Sequence, residues 1–148
     1  MTEAADLQAR TFSYAAPALG DKRKKIVRLC RTDRMAAQVQ IVGSGGENNL
    51  HSHAHQDGFW FVLSGRVRFY GEGDSLLGEF GPLQGVLIPR GFSYWFESCS
   101  EETLELLQLE AFDRPFGSEA EILADRVNHR AVNAAVNPTT VEVSDAQA

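Results

Sequence analysis

Hydrophobic and polar positions alternate with period two over most of this chain. Across residues 36–42, Ala37, Val39 and Ile41 fall on one face and Gln38 and Gln40 on the other, the pattern of a strand between two different environments. The run Gly43-Ser44-Gly45-Gly46 breaks it. Phe59-Trp60-Phe61-Val62-Leu63 is aromatic and β-branched, Ser64-Gly65 turns the chain, and Arg66-Val67-Arg68-Phe69-Tyr70 returns with clean alternation, which predicts a hairpin. Further strands are predicted at 26–30, 85–88, 93–97 and 104–112, with a short edge strand at 11–14. Short strands at close spacing, separated by Gly and Pro turns, predict an all-β sandwich or barrel.

The C-terminal part has a different period. Ser118-Glu119-Ala120-Glu121 fits a capping box, and Ile122, Leu123, Val127 and Ala131 recur at helical spacing. The pattern predicts one helix over 119–134, stopped by Asn137-Pro138. Residues 139–148 are expected to be a flexible tail or a strand docking on a neighbour, and residues 1–10 a frayed end. With no internal repeat, the chain reads as a single domain over 1–148: a barrel at 11–112, then a helix and tail at 113–148.

Composition narrows the function classes. At 148 residues and 43% hydrophobic content, the core needs neither metal nor disulfide to hold it. A net charge of -6 argues against nucleic acid as a partner, and the short run Lys22-Arg23-Lys24-Lys25 reads as a solvated turn. Cys30 and Cys99 lie in no Cys-x-x-Cys spacing. No leader pattern and no membrane-length apolar run are found, so a cytoplasmic protein without membrane contact is expected.

The segment 45–65, GGENNLHSHAHQDGFWFVLSG, carries the chemistry. It resembles the first cupin motif, in which a Gly, a His-x-His pair, a Glu and a second Gly stand at set intervals; Gly45, His51, His53 and Gly65 match. The second motif is partial. Pro89-Arg90-Gly91 matches, but Tyr94 stands at its His, Ser98 at its Asn and Leu83 at its opening Gly. The resemblance spans about 35–112 and implies an antiparallel cupin-type β-barrel, a double-stranded jelly roll, here with a short C-terminal helix. It also implies a metal held by the motif-one histidines and Glu and the motif-two His. Here the Glu position is Gly58, so His51 and His53 are the two metal ligands that remain. Waters, Tyr94, Asp57 or a bidentate substrate would complete a site for Fe, Zn or Ni. Asp57 qualifies only if the strand bulges, because a one-residue shift turns its side chain to the other face.

Residues two apart on a strand point to one side, so His51 and His53 are expected to project together into the interior, with His55 at the rim. Continuing that parity, Trp60, Tyr94 and Phe96 face inward as pocket lining or ordinary core, and Phe59 and Phe61 outward as a homodimer surface. Gln38 and Gln40 are polar handles for a ligand if they face in and solvated if they face out. Arg90 is either a partner for a substrate carboxylate or a surface turn residue. The leading expectation is a metal-assisted small-molecule enzyme of dioxygenase, lyase or isomerase type, acting on a compact oxygenated substrate, with His51, His53 and Tyr94 as catalytic groups. Two alternatives stay open. One is a metal-free isomerase or epimerase with histidine as base and Tyr94 as acid. The other is a ligand-binding protein without activity. No nucleotide or organic cofactor is expected.

Overall fold

The computed structural model describes residues 8–43, 49–130 and 141–147. Strands β1 (Lys24–Arg31), β2 (Met35–Val42), β3 (Leu50–His53), β4 (Gln56–Ser64) and β5 (Val67–Tyr70) lead to a 3-10 turn at Glu72–Asp74. There follow β6 (Leu76–Phe80), β7 (Gly85–Ile88), β8 (Trp95–Ser98), β9 (Leu104–Phe112), helix α1 (Glu119–Ala124), β10 (Arg126–Arg130) and β11 (Val141–Asp145).

Six strands form one sheet in the order β11-β1-β2-β9-β4-β7. Opposite it, β6-β5-β8 pair in one sheet and β10-β3 in another; an isolated antiparallel bridge between His51 and Tyr94 joins these two. Between the layers lies a core of Val42, Trp60, Val62, Ile88, Leu104 and Leu106 from the larger sheet and Val67, Phe69 and Phe96 from the smaller. Trp60 packs 5.2 Å from Phe96, and Phe69 lies 5.2 Å from Phe96, centroid to centroid. Each such aromatic contributes roughly 1.5–3 kcal/mol relative to an exposed ring. The turn that returns β4 into β5 depends on Gly65, whose φ is +78°; a Cβ there would meet the backbone of Thr103 and Leu104 at 2.9 Å.

The alternation in β2 is present, but its apolar side does not face the inter-sheet core. Val39 and Ile41 form a second cluster with Val27, covered by Tyr14 and Leu19 of the N-terminal segment, and Tyr14 Oη donates to Glu105 Oε1 at 2.6 Å. The polar side, Gln38 and Gln40, faces the interior, where Gln40 is 5% exposed. In β9 the inward residues change from Leu104 and Leu106 to Gln108 and Glu110 along the strand. One end of the interior is therefore dry core and the other a polar chamber.

Several sequence expectations need correction at the ends of the chain. The helix is six residues long, not 119–134. Ser118 caps it, its Oγ accepting from Glu121 N at 3.2 Å, but after Ala124 the chain enters β10. There Val127 is β-branched, Asn128 and His129 are weak helix formers, and the free edge of β3 offers a ladder: Arg126 pairs with His53 and Asn128 with His51. Ala131 and Asn137-Pro138 lie outside the described residues. The expected tail contains β11, which pairs in parallel with β1 of its own chain. The predicted edge strand at 11–14 is reduced to one bridge, Ser13 with Gln147.

Candidate functional site

The polar chamber is a cavity of about 160 Å³. β3 supplies His51 and His53 to it, β4 supplies Trp60, β2 supplies Gln38 and Gln40, and β9 supplies Gln108 and Glu110; Tyr94 precedes β8. Lys24 and Arg126 complete the charged lining, and Ile122 and Leu123 of α1 also line it. Gln56 Nε2 of β4 donates to Ile122 O of α1 at 3.2 Å, and His55 N, between β3 and β4, donates to Asp125 Oδ2 just after α1 at 3.0 Å.

The two histidines are held uncharged. His51 is 2% exposed, and burial, then the charge of Arg126, lowers its pKa to about 3. Burial and Arg126 likewise lower His53 to about 4. His51 Nδ1 lies 2.6 Å from Asn49 O; a carbonyl only accepts, so Nδ1 carries the proton and Nε2 is an acceptor. His53 Nδ1 is buried without a partner, as are Gln40 Oε1 and Gln56 Oε1. Gln40 and His53 line the cavity and Gln56 the adjoining crevice, and orphaned polar atoms there mark a place where a ligand or water supplies the missing bonds. Burial raises the Tyr94 phenol well above its ordinary range, with Glu110 adding to the effect, so Tyr94 stays a donor.

Glu110 was not singled out by the sequence. It lies directly across the β4–β9 ladder from Gly58, and both residues wall a narrow crevice with His53, Gln56 and Tyr94. Burial, then the nearby Asp125 carboxylate, pushes Glu110 up to about 7. Its Oε1 accepts from Gln108 Nε2 at 2.8 Å, and Gln108 Oε1 accepts from Gln38 Nε2 at 2.6 Å and Gln40 Nε2 at 2.8 Å. Two donors on Gln108 Oε1 fix the amide so that its NH₂ faces Glu110. The only signal in the sequence was parity: Glu110 follows Leu104, Leu106 and Gln108 on the inward face.

Solved structures with the same architecture include a conserved double-stranded β-helix protein from Klebsiella pneumoniae, at 19% identity over 74% of this chain and 95% of that one, TM-score 0.58. An RmlC-like cupin from Desulfovibrio desulfuricans matches at 17% identity over 70% and 96%, TM-score 0.59. KdgF from a Halomonas species matches at 13% over 70% and 94%, TM-score 0.59. The fold is that of the cupins. No family model and no curated protein matches the sequence.

Within this fold the predicted site residues separate. His51, His53, Tyr94, Trp60, Gln38 and Gln40 meet at the cavity. Phe96 is fully buried in the aromatic core packed against Trp60. Arg90 lies on the surface instead of in the cavity wall; its Nη1 is 3.0 Å from Asp57 Oδ2, and Asp57 Oδ1 accepts from Arg90 N at 2.9 Å. That pairing also turns Asp57 away from the histidines. His55 joins Asp113 and Arg114 in the same exposed cluster.

A metal centre of the usual cupin kind is not matched by these donors. Among the described residues no three His, Cys, Asp or Glu side chains are grouped to hold an ion. Position 58 has no side chain, and a Cβ there would come within 3.1 Å of Trp60 Nε1, so the indole fills the space a Glu would need. Tyr94 is held protonated, and a phenol must ionise to bind an ion well. Two neutral imidazoles remain. Among the described residues no helix is long and apolar enough to cross a membrane.

Proposed function

We propose that the cavity is the working site of a small-molecule enzyme catalysing proton transfer, of isomerase or epimerase type, with Glu110 as base. The observation that carries this reading is a buried carboxyl poised near neutrality in a cavity with orphaned polar groups. A general base works best when its pKa lies near the working pH. The histidines, lowered to about 3 and 4, are too weakly basic for that task, which moves the role from His51 or His53 to Glu110. The Glu110 carboxylate takes a proton from the carbon beside a carbonyl, Tyr94 Oη–H hydrogen-bonds the oxygen where charge develops, and protonated Glu110 returns the proton on the same face at the neighbouring carbon while the hydroxyl proton passes to the former carbonyl oxygen; in an epimerisation an acid on the opposite face would supply the proton instead. The substrate is rearranged with no net gain or loss of atoms or electrons.

Deuterium incorporation from D₂O into a panel of small hydroxycarbonyl compounds and sugars tests this. Exchange in the wild type that is lost in Glu110→Gln supports it; equal exchange in both dismisses Glu110.

A second reading is favoured by one observation. The Nδ1–H of His51 is given to a backbone carbonyl, an arrangement that orients metal-ligating imidazoles. His51 and His53 would then hold a divalent ion whose other positions a bidentate substrate fills, the ion supplying Lewis acidity. Elemental analysis of the wild type beside His51→Ala/His53→Ala separates the two readings: near-stoichiometric metal lost in the variant supports this one.

We further propose a homodimer through the outer face of β4. Phe59, 46% exposed, stacks on Phe61 and lies cross-strand from Leu87, 65% exposed. Phe59→Lys converting a dimer to a monomer in sedimentation would support it.

A further inference from the structure

Glu110 stands where two spaces meet. One is the chamber of about 160 Å³. The other is a wider cavity of about 370 Å³, bounded by β1, the start of β2 and α1. Gln38, Glu110, Ile122 and Leu123 line both, so the spaces adjoin at these four side chains. Ala36 lies directly across the β2–β9 ladder from Glu110 and also lines the wider cavity. Tyr94, His51, His53 and Gln40 line the chamber and not the wider cavity. A substrate carbon that gives its proton to Glu110, with its carbonyl oxygen at Tyr94, therefore has its polar groups in the chamber and room for a further substituent in the wider cavity.

The two spaces ask different things of a ligand. In the chamber Gln40 Oε1 is buried without a donor, and His51 Nε2 is an acceptor because its Nδ1 proton is given to Asn49 O. Both call for hydroxyl groups, which donate where a carbonyl or an ether cannot. Neither space selects an ion. Lys24 and Arg126 of the chamber are offset by Glu110 and by the Asp125 carboxylate, which acts on both His53 and Glu110. In the wider cavity Arg28 pairs with Glu119, and the exposed Arg31 and Asp145 carry one charge of each sign. The rest of that junction is apolar. Ala36 and Ile122 line it, and Leu123 is 66% exposed beside it, which leaves hydrocarbon surface for a ligand to cover.

We infer that the site takes an uncharged hydroxycarbonyl compound with a hydrocarbon tail, its hydroxyl and carbonyl groups in the chamber and its tail running past Glu110 along Ala36, Ile122 and Leu123. The inference rests on the chamber being the site of proton transfer and names the substrate class for that reading. A tail seated in the wider cavity also holds the reacting carbon beside Glu110, so that contacts remote from the chemistry contribute to orientation.

Calorimetric titration with hydroxyacetone, 1-hydroxy-2-butanone and 1-hydroxy-2-hexanone tests the proposal. A fully buried methylene strengthens binding about fourfold, or ~0.8 kcal/mol. Because the cavity is open to water on one side, the step from hydroxyacetone to 1-hydroxy-2-hexanone is expected to give at least about tenfold. Erythrulose has the four carbons of 1-hydroxy-2-butanone with a hydroxylated chain, and it should bind more weakly than that compound. Leu123→Gln removes apolar wall and Ala36→Phe fills the cavity; each should cut the gain along the series to about twofold or less. Melting curves establish that each variant is folded. Affinity that does not rise along the series, tighter binding of erythrulose, no binding of 1-hydroxy-2-hexanone, or an unchanged gain in both variants would overturn the proposal. A chain-length preference without deuterium exchange in any compound would sink the proton-transfer reading alone. Glu110-dependent exchange with no chain-length preference would sink the tail assignment alone.

Discussion

Gly58 and Glu110 face each other across the β4–β9 ladder, so the strand position that lacks a carboxylate is opposite one that carries it. The cupin motif places its acid on β4; here β4 has a glycine, Trp60 fills the vacated space, and the buried carboxyl comes from β9.

This relationship predicts a pH-dependent gain in stability for Glu110→Gln. The carboxyl ionises near 4.5 in the unfolded chain and near 7 in the fold, so the folded state holds a proton the unfolded state has lost between those values. Stability falls as pH rises through that window, by up to about 3 kcal/mol. Urea unfolding should show Glu110→Gln more stable than the wild type at pH 8 and nearly equal to it at pH 4.5. A wild type that is equally or more stable at pH 8 would contradict the buried carboxyl.

The histidines predict the opposite slope at the acid end. His51 and His53 stay neutral in the fold down to about pH 3 and 4, while an unfolded imidazole takes up a proton near 6.5. Stability from these residues is full above pH 6.5 and is lost as pH falls below it. The imidazole carbon and proton shifts of His51 and His53 should be flat between pH 5 and 8 in NMR titrations. A midpoint near 6.5 for either would mean that it is not buried as described.

Restoring the motif residue should fail on its own. Gly58→Glu pushes a side chain against Trp60 Nε1, which would lie 3.1 Å from the new Cβ, and such overpacking typically costs about 1–3 kcal/mol. The variant should melt earlier and gain no tightly bound metal. Gly58→Glu/Trp60→Ala should make room for the carboxylate and raise metal occupancy in elemental analysis. A fully stable single variant would mean that the indole moves aside readily.

Removing the amide that holds Glu110 should raise the pH at which that carboxyl ionises and weaken the fold. Gln108→Leu deletes the donor to Glu110 Oε1 and the acceptor for Gln38 and Gln40, leaving buried amides unpaired at roughly 1–3 kcal/mol. The Glu110 carboxyl band in infrared titrations should shift to higher pH, because its ionised form loses a hydrogen bond.

Much of this was legible in the sequence. Period-two alternation and Gly/Pro turns located β2, β4, β5, β8 and β9, because strand periodicity is a local property. The His51-x-His53 spacing placed two imidazoles on one face for the same reason. What no local signal carried was the partner of each face. Gln38 and Gln40 could equally have met water, and only the N-terminal segment packing over Val39 and Ile41 directs them inward. The amphipathic run after Ser118 favoured a helix as far as local propensity goes; the open edge of β3 claimed residues 126–130, since buried strand edges need hydrogen-bond partners. Glu110 shows the limit most plainly. Along the chain it is one more acidic residue at the end of a strand. It becomes a buried, half-neutral carboxyl beside two histidines only because β9 lies between β2 and β4, and that adjacency is set by tertiary packing, which also decides where the charge is cut off from water.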